Sequence, residues 1–253
     1  MKRLFVNIRE RLQFFKNNPV YSIRSIAREL TWADERFLGE VTDCRARKIR
    51  RFLDEPFDDA EFAQHIRQTR DLHGRASIST ADLYAKKVLI QYAIVRALKP
   101  ELVVETGIAN GVSSSYLLLA MEKNRKGHLH SIEVDDSHVL LEGRGPGWIV
   151  PEPLRIRWSI HMGPSELILP NLLKVLPLLD IFVHDSLHTY AHMMLEFETA
   201  FPRLKPGGIL LADDAMWNAA FPTFATKIGA DRASIVRGVG ILRTSGSGTH
   251  GKV

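Results

Sequence analysis

From about residue 76 onward, short apolar runs alternate with longer stretches of helical periodicity. Leu102, Val103 and Val104 form an uninterrupted apolar run, the pattern of a strand buried on both faces. Residues 128–134, 155–160, 178–184 and 209–212 read as four more strands, and 234–236 with 239–242, split by Gly238, predict a closing pair. Between them, Leu83, Tyr84, Val88, Leu89, Tyr92 and Val95 give a helix over 81–98 one apolar face, capped by Ser79 or Thr80 and stopped at Lys99-Pro100. Further helices are predicted from Tyr116 onward, over 166–176, and over 189–204, the last stopped by Lys205-Pro206-Gly207-Gly208. Glycine and proline crowd residues 143–153, a loop. Strands alternating with helices predict an α/β fold: a mainly parallel sheet of seven strands with helices on both faces.

The first 75 residues have no strand pattern. Leu4, Phe5, Ile8, Leu12 and Phe15 lie at helical spacing until Asn17-Asn18-Pro19, and helices are predicted over 22–31, over 34–53 ended by Asp54-Glu55-Pro56, and over 60–72. The chain therefore divides into a helical N-terminal extension (1–75), an α/β domain (76–245) and a flexible tail (246–253) rich in glycine and serine. His65 and His73 lack metal-type spacing and read as ordinary helix residues. The extension is basic, with Arg45, Arg47, Lys48, Arg50 and Arg51 in one cluster and a net charge of +5 for the whole chain. No RNA-binding motif or interleaved aromatic accompanies the cluster, so a solvated helix face is preferred to a nucleic-acid surface. The basic amphipathic start could also lie on a membrane surface; packing on the domain, or on a second copy as a homo-oligomer, is the preferred expectation.

Composition changes little: 45% hydrophobic and 25% charged residues are normal for a soluble globular chain. One cysteine, Cys44, excludes an intrachain disulfide and a cysteine-rich metal site. With no membrane-length apolar run or signal-peptide core, the expected location is the cytoplasm.

The chemistry begins where the first strand ends. Glu105, Gly107, Gly111 and Ser113 give E-x-G-x-x-x-G-x-S, with Asn110 inside it. Strand, glycine turn and helix open a nucleotide-binding unit. Glycine without a Cβ lets backbone approach a ligand, and the helix start offers free N–H groups. A dinucleotide fingerprint would need G-x-G-x-x-G. An acid two residues before the first glycine suits a cationic or hydroxylated group better than a pyrophosphate. The stretch resembles the first motif of class I S-adenosylmethionine (SAM)-dependent methyltransferases, [DE]-x-G-x-x-x-G-x-S. The resemblance implies a Rossmann-like, doubly wound sheet with SAM as cofactor beside Glu105, Gly107, Asn110, Gly111 and Ser113. Glu133 ends the second strand, about where an acid reads ribose hydroxyls in nucleotide-binding units. His161-Met162-Gly163-Pro164-Ser165 resembles the segment along the adenine edge, which adds Gly163 and Ser165; a helix cap at Ser165 is the plainer alternative.

Asp185, Ser186, His188 and Tyr190 follow the fourth strand, and Asp213-Asp214 ends the fifth. With Glu105 and Glu133 these acids all fall at strand C-termini, where a doubly wound sheet binds ligands. The fold is thus expected to gather them on one rim. The pattern D-x-x-H-x-Y, then L-K-P-G-G and an acidic pair, resembles metal-assisted O-methyltransferases of the macrocin and mycinamicin sugar type and related cephalosporin-biosynthesis proteins, over about residues 80–243. That resemblance implies Asp185, Asp213 and Asp214 as Mg²⁺ ligands, Asp185 also beside the cofactor, and His188 as base. Asp213 stands where those enzymes often carry Glu, one methylene longer. The roles make chemical sense: Mg²⁺ held by a few carboxylates lowers a hydroxyl pKa, and a histidine takes the proton. His184, on the strand itself, reads as core-facing. The expected activity is methyl transfer to a hydroxyl of a small molecule or glycan. The alternatives are a metal-independent N- or O-methyltransferase and a non-catalytic SAM- or nucleotide-binding scaffold.

Overall fold

The computed structural model describes residues 33–73, 86–134, 144–230 and 232–245. The helices expected over 1–15 and 22–31, the start of the helix at 81 and the tail lie outside the described residues. Helices α1 (Ala33–Thr42), α2 (Ala46–Asp58), α3 (Ala60–His73) and α4 (Lys86–Leu98) precede the sheet. Then come β1 (Leu102–Thr106), α5 (Val112–Asn124), β2 (His128–Glu133), β3 (Trp158–Met162), α6 (Ser165–Val175) and β4 (Leu179–His184). The chain continues through α7 (Tyr190–Ala200), β5 (Leu204–Ala212), α8 (Ala220–Lys227), β6 (Ala233–Val236) and β7 (Val239–Arg243).

The seven strands lie in the order β3-β2-β1-β4-β5-β7-β6. β1 pairs in parallel with both β2 and β4, while β7 runs antiparallel to β5 and β6. Chain order runs one way from β1 and the other way from β4, so the topological switch point lies between them. Alternation along each strand separates two cores. Val103, Leu129, Ile181 and Leu211 face α4 and α5; Val104, Ile132, Phe182 and Leu210 face α6, α7 and α8.

The described part of the helical extension is built into the first of these cores. Leu38, Ile49, Phe52, Phe62 and Ile66 join the same cluster as Val103. Arg96 Nε and Nη2 bond the two Glu55 oxygens at 2.6 and 2.9 Å, and the Tyr92 hydroxyl adds a third bond at 2.6 Å, which clamps α2 to α4. The cluster Arg45, Arg47, Lys48 and Arg51 stays exposed on the other side. No helix among the described residues is long and apolar enough to cross a membrane.

Several boundaries differ from the expectation. The helix expected over 34–53 is two helices. Thr42 Oγ1 donates to Leu38 O, Asp43 turns left-handed (φ 52°), and Cys44 folds back so closely that a Cβ on Gly39 would lie 2.5 Å from Cys44 O. α2 then runs through Pro56, which is buried and forgoes one backbone bond. Pro151 and Pro153 hold Glu152–Arg157 in a 3-10 turn, so β3 starts at Trp158 instead of 155. The segment Lys205-Pro206-Gly207-Gly208, expected to stop a helix, is part of β5.

Candidate active site

Each parallel strand hands its chain to its neighbour through one more backbone bond. Gly163 N donates to Glu133 O (2.7 Å), Gly107 N to Ile132 O (2.9 Å), Asp185 N to Thr106 O (2.8 Å) and Asp213 N to His184 O (2.8 Å). These bonds put the exits of β3, β2, β1, β4 and β5 in one row across the switch point. The expected convergence of Glu105, Glu133, Asp185 and Asp213 follows from it.

The glycine turn works differently from the expectation. Gly107 (φ 84°) would put a Cβ 1.9 Å from Asp185 O, and Gly111 (φ 90°) would put one 2.7 Å from Gly147 Cα. The close approach at both glycines is to the chain's own backbone. The loop before β3 folds over the turn: Trp148 Nε1 donates to Asn110 Oδ1 at 2.6 Å, and Asn110 is 3% exposed. Glu105 is fully buried and accepts bonds from the hydroxyls of Ser113 (2.6 Å), Ser114 (2.6 Å) and Ser131 (2.8 Å). Burial pushes its pKa up against these three bonds. Glu105 and Ser113 therefore brace the turn from inside, where an open ligand contact was expected. Glu133 stands at the mouth of the turn: Oε2 accepts from Ile108 N (2.8 Å) and Ala109 N (2.7 Å), and Oε1 from Val134 N (2.8 Å). Val134 and Met162, 64% and 49% exposed, lie at the adjoining tips, where Glu133 registers with Met162.

At the tips of β4 and β5, Asp185, His188 and Asp213 each bring one ligand atom within 4.8 Å of the others. His188 Nε2 is 3.8 Å from Asp185 Oδ1. Among the described residues, neither His188 Nε2 nor Asp213 Oδ1, both buried, has a hydrogen-bond partner. Burial, then the Asp213 charge, hold the Asp185 pKa well above the usual carboxylate range, against the pull of Lys87. Burial and the neighbouring His184 lower the His188 pKa and keep the imidazole neutral at pH 7. Asp214 departs from the expected ligand set. It takes a left-handed turn (φ 46°), lies outside this group, and places Oδ1 3.5 Å from Lys87 Nζ. Trp217, 70% exposed, stands 5.5 Å from the His188 ring. A cleft of about 480 Å³ between α1 and β6 is remote from these tips and gathers no such group.

A family model described as a methyltransferase domain matches residues 104–215. This stretch is a methyltransferase domain. Three solved structures share its fold. The O-methyltransferase TomG from Streptomyces achromogenes, involved in tomaymycin synthesis and in complex with SAM, is 16% identical, with TM-score 0.54 over 74% of this chain and 91% of that one. An O-methyltransferase from Bacillus cereus in complex with SAH is 14% identical, with TM-score 0.54 over 71% and 89%. SAH-bound PaMTH1 from Podospora anserina is 15% identical, with TM-score 0.50 over 72% and 87%. No curated protein matches the chain in sequence.

Two residues at the site of the methyltransferase domain escaped the sequence reading. Lys87, on α4, reaches Asp213 Oδ2 at 2.5 Å across 126 positions. Glu196, 0% exposed on α7, accepts from Thr106 Oγ1 (2.6 Å), His184 Nδ1 (2.6 Å), Ser186 Oγ (2.8 Å), His192 Nε2 (2.9 Å) and Ser165 Oγ. Ser165 thus neither caps α6 nor opens toward a ligand; Pro164 is the N-cap residue. His184 is core-facing, as expected. Burial pushes the Glu196 pKa up, but the bonds from His184 and His192 outweigh it and hold the carboxyl far below its ordinary value. A lone acid among Met193, Phe197 and Ala200, all buried, was the available signal. Nothing local marked Lys87.

Proposed function

We propose that this chain transfers the methyl group of SAM to a hydroxyl of a small molecule or glycan, assisted by a divalent cation. One observation carries the reading: His188 Nε2 and Asp213 Oδ1 are buried, without a hydrogen-bond partner among the described residues, and grouped with Asp185 at the tips of β4 and β5, beside the switch point. Buried polar atoms without partners are rare in native proteins, and at a strand-end rim their natural complement is a ligand.

The donor would lie at the open mouth of the Gly107–Gly111 turn, beside Glu133. Glu133 at its mouth would accept the ribose hydroxyls, and exposed Val134 and Met162 would flank the purine. Gly163, bonded to Glu133 O, fixes the β3 side of this subsite. SAM, when bound, would supply an electrophilic methyl group and leave as SAH once the acceptor oxygen has taken that methyl. His188 Nε2 would receive the hydroxyl proton. A neutral imidazole can take that proton. Holding the two reactants in line supplies much of the rate. Asp185 and Asp213 would hold the cation, whose chemistry is to lower the hydroxyl pKa. Exposed Trp217, Met216 and Leu187 give the acceptor side an apolar surface.

A metal-independent reaction at the same rim is favoured by Lys87, which already sets a positive charge on Asp213. Calorimetry with SAM, with and without Mg²⁺, and transfer of labelled methyl to a panel of hydroxylated acceptors separate the readings. Mg²⁺-dependent transfer is the expected result. Transfer indifferent to chelator supports the metal-independent form, and donor binding without transfer to any acceptor would leave a scaffold.

A further inference from the structure

Lys87 sits in the first turn of α4, far along the chain from both acids that it meets. Its ammonium covers one oxygen of Asp213 at 2.5 Å and leaves the other, Oδ1, buried without a hydrogen-bond partner among the described residues. Asp213 itself is almost sealed, with 4% of its side chain exposed, whereas 30% of the Lys87 side chain remains in solvent. The carboxylate is therefore fixed, and the ammonium, on a flexible four-carbon stem, has a way out.

We propose that Lys87 is a built-in rival of the divalent cation: its ammonium holds Asp213 when no metal is bound and swings toward solvent when one binds. The inference rests on the metal reading above. Asp185 and Asp213 bring two carboxylates together, with Asp214 beside Lys87 and outside that pair, and like charges this close repel unless a cation lies between. A divalent ion between Asp185 and Asp213 would share Asp213 with the ammonium and repel it. The two cations are then alternative occupants of one carboxylate, and Lys87 sets the metal affinity. The rivalry also keeps the rim compact before the metal arrives.

The test is Mn²⁺ binding to the full chain, read from free Mn²⁺ by electron paramagnetic resonance. Lys87→Met and Lys87→Gln should bind Mn²⁺ at least about tenfold more tightly than wild type, while Lys87→Arg should not. Both neutral variants should also melt lower than wild type without metal and gain more from added Mn²⁺. The glutamine variant places a neutral polar group on the Asp213 side of α4 and serves if the methionine variant does not fold. Mn²⁺ binding by wild type with equal or weaker binding by the neutral variants overturns the rivalry and leaves the metal reading standing. No uptake by any form at millimolar Mn²⁺, with SAM still bound, overturns the metal reading and the rivalry with it.

Discussion

Glu196 and Asp213 are both buried acids close to the tips of β4 and β5, and their surroundings differ in kind. Glu196 accepts from five side chains drawn from β1, α6, β4, the following loop and α7. Asp213 has one oxygen on Lys87, and its other oxygen, Oδ1, has no donor among the described residues. A buried charge with its bonds made is a structural node; one with a bond missing carries a desolvation cost that a ligand can relieve. His184 touches both regions. Its Nδ1 is held by Glu196, and its ring lies 5.3 Å from His188. The satisfied node therefore fixes the wall against which the unsatisfied group works.

The contrast breaks most sharply at the two extremes. His188→Ala should cut turnover by roughly 10²–10⁴ with SAM affinity by calorimetry unchanged; near-normal turnover would remove the base assignment. Glu196→Ala should cost about 3–5 kcal/mol of stability, because it leaves histidine and hydroxyl groups buried without their acceptor, and urea denaturation measures it. The pH dependence of the node carries a definite sign. The Glu196 carboxyl is held below its ordinary value, so its contribution is full above about pH 4.5 and falls away as the medium becomes more acidic. His192, whose pKa its bond to Glu196 raises, contributes fully below about pH 6.5 and loses its share as pH climbs through the raised value. Glu196→Gln should flatten both limbs.

Smaller effects sharpen the comparison. Glu133→Ala should weaken SAM binding about tenfold, the scale of one charge-assisted hydrogen bond; unaltered affinity would refute the ribose assignment. Asp185→Asn should leave stability within about 1 kcal/mol of wild type or slightly above it, since burial and the Asp213 charge both oppose ionisation of this carboxyl. Turnover should nevertheless be lost. A large loss of stability in that variant would make Asp185 a structural node like Glu196.

The strands were legible because their signal is local. Apolar runs such as Leu102–Val104 and 209–212 report burial on both faces whatever lies around them. The acids at strand ends were legible for the same reason, since a parallel sheet sends every C-terminus to one edge. Boundaries set by contacts were not. The break after Thr42 depends on how Cys44 folds onto Gly39, and the start of β3 on prolines that shorten the strand before it. Glu105 read as a ligand contact because a motif gives the residue type and not its direction; the hydroxyls of Ser113, Ser114 and Ser131 turn its carboxylate inward.

By itself, then, the sequence determined the alternating α/β order, the glycine turn after β1 and which acids end which strands, because periodicity and turn chemistry act over a few neighbouring residues. Only the tertiary structure decided that Glu133 guards the turn while Glu105 braces it, that Asp213 joins Asp185 and His188 while Asp214 stays outside that group, that Lys87 reaches both acids of the pair, and that Glu196 closes a network behind them. Those outcomes depend on which way a carboxylate points, and that is fixed by donors arriving from elements far away in the chain.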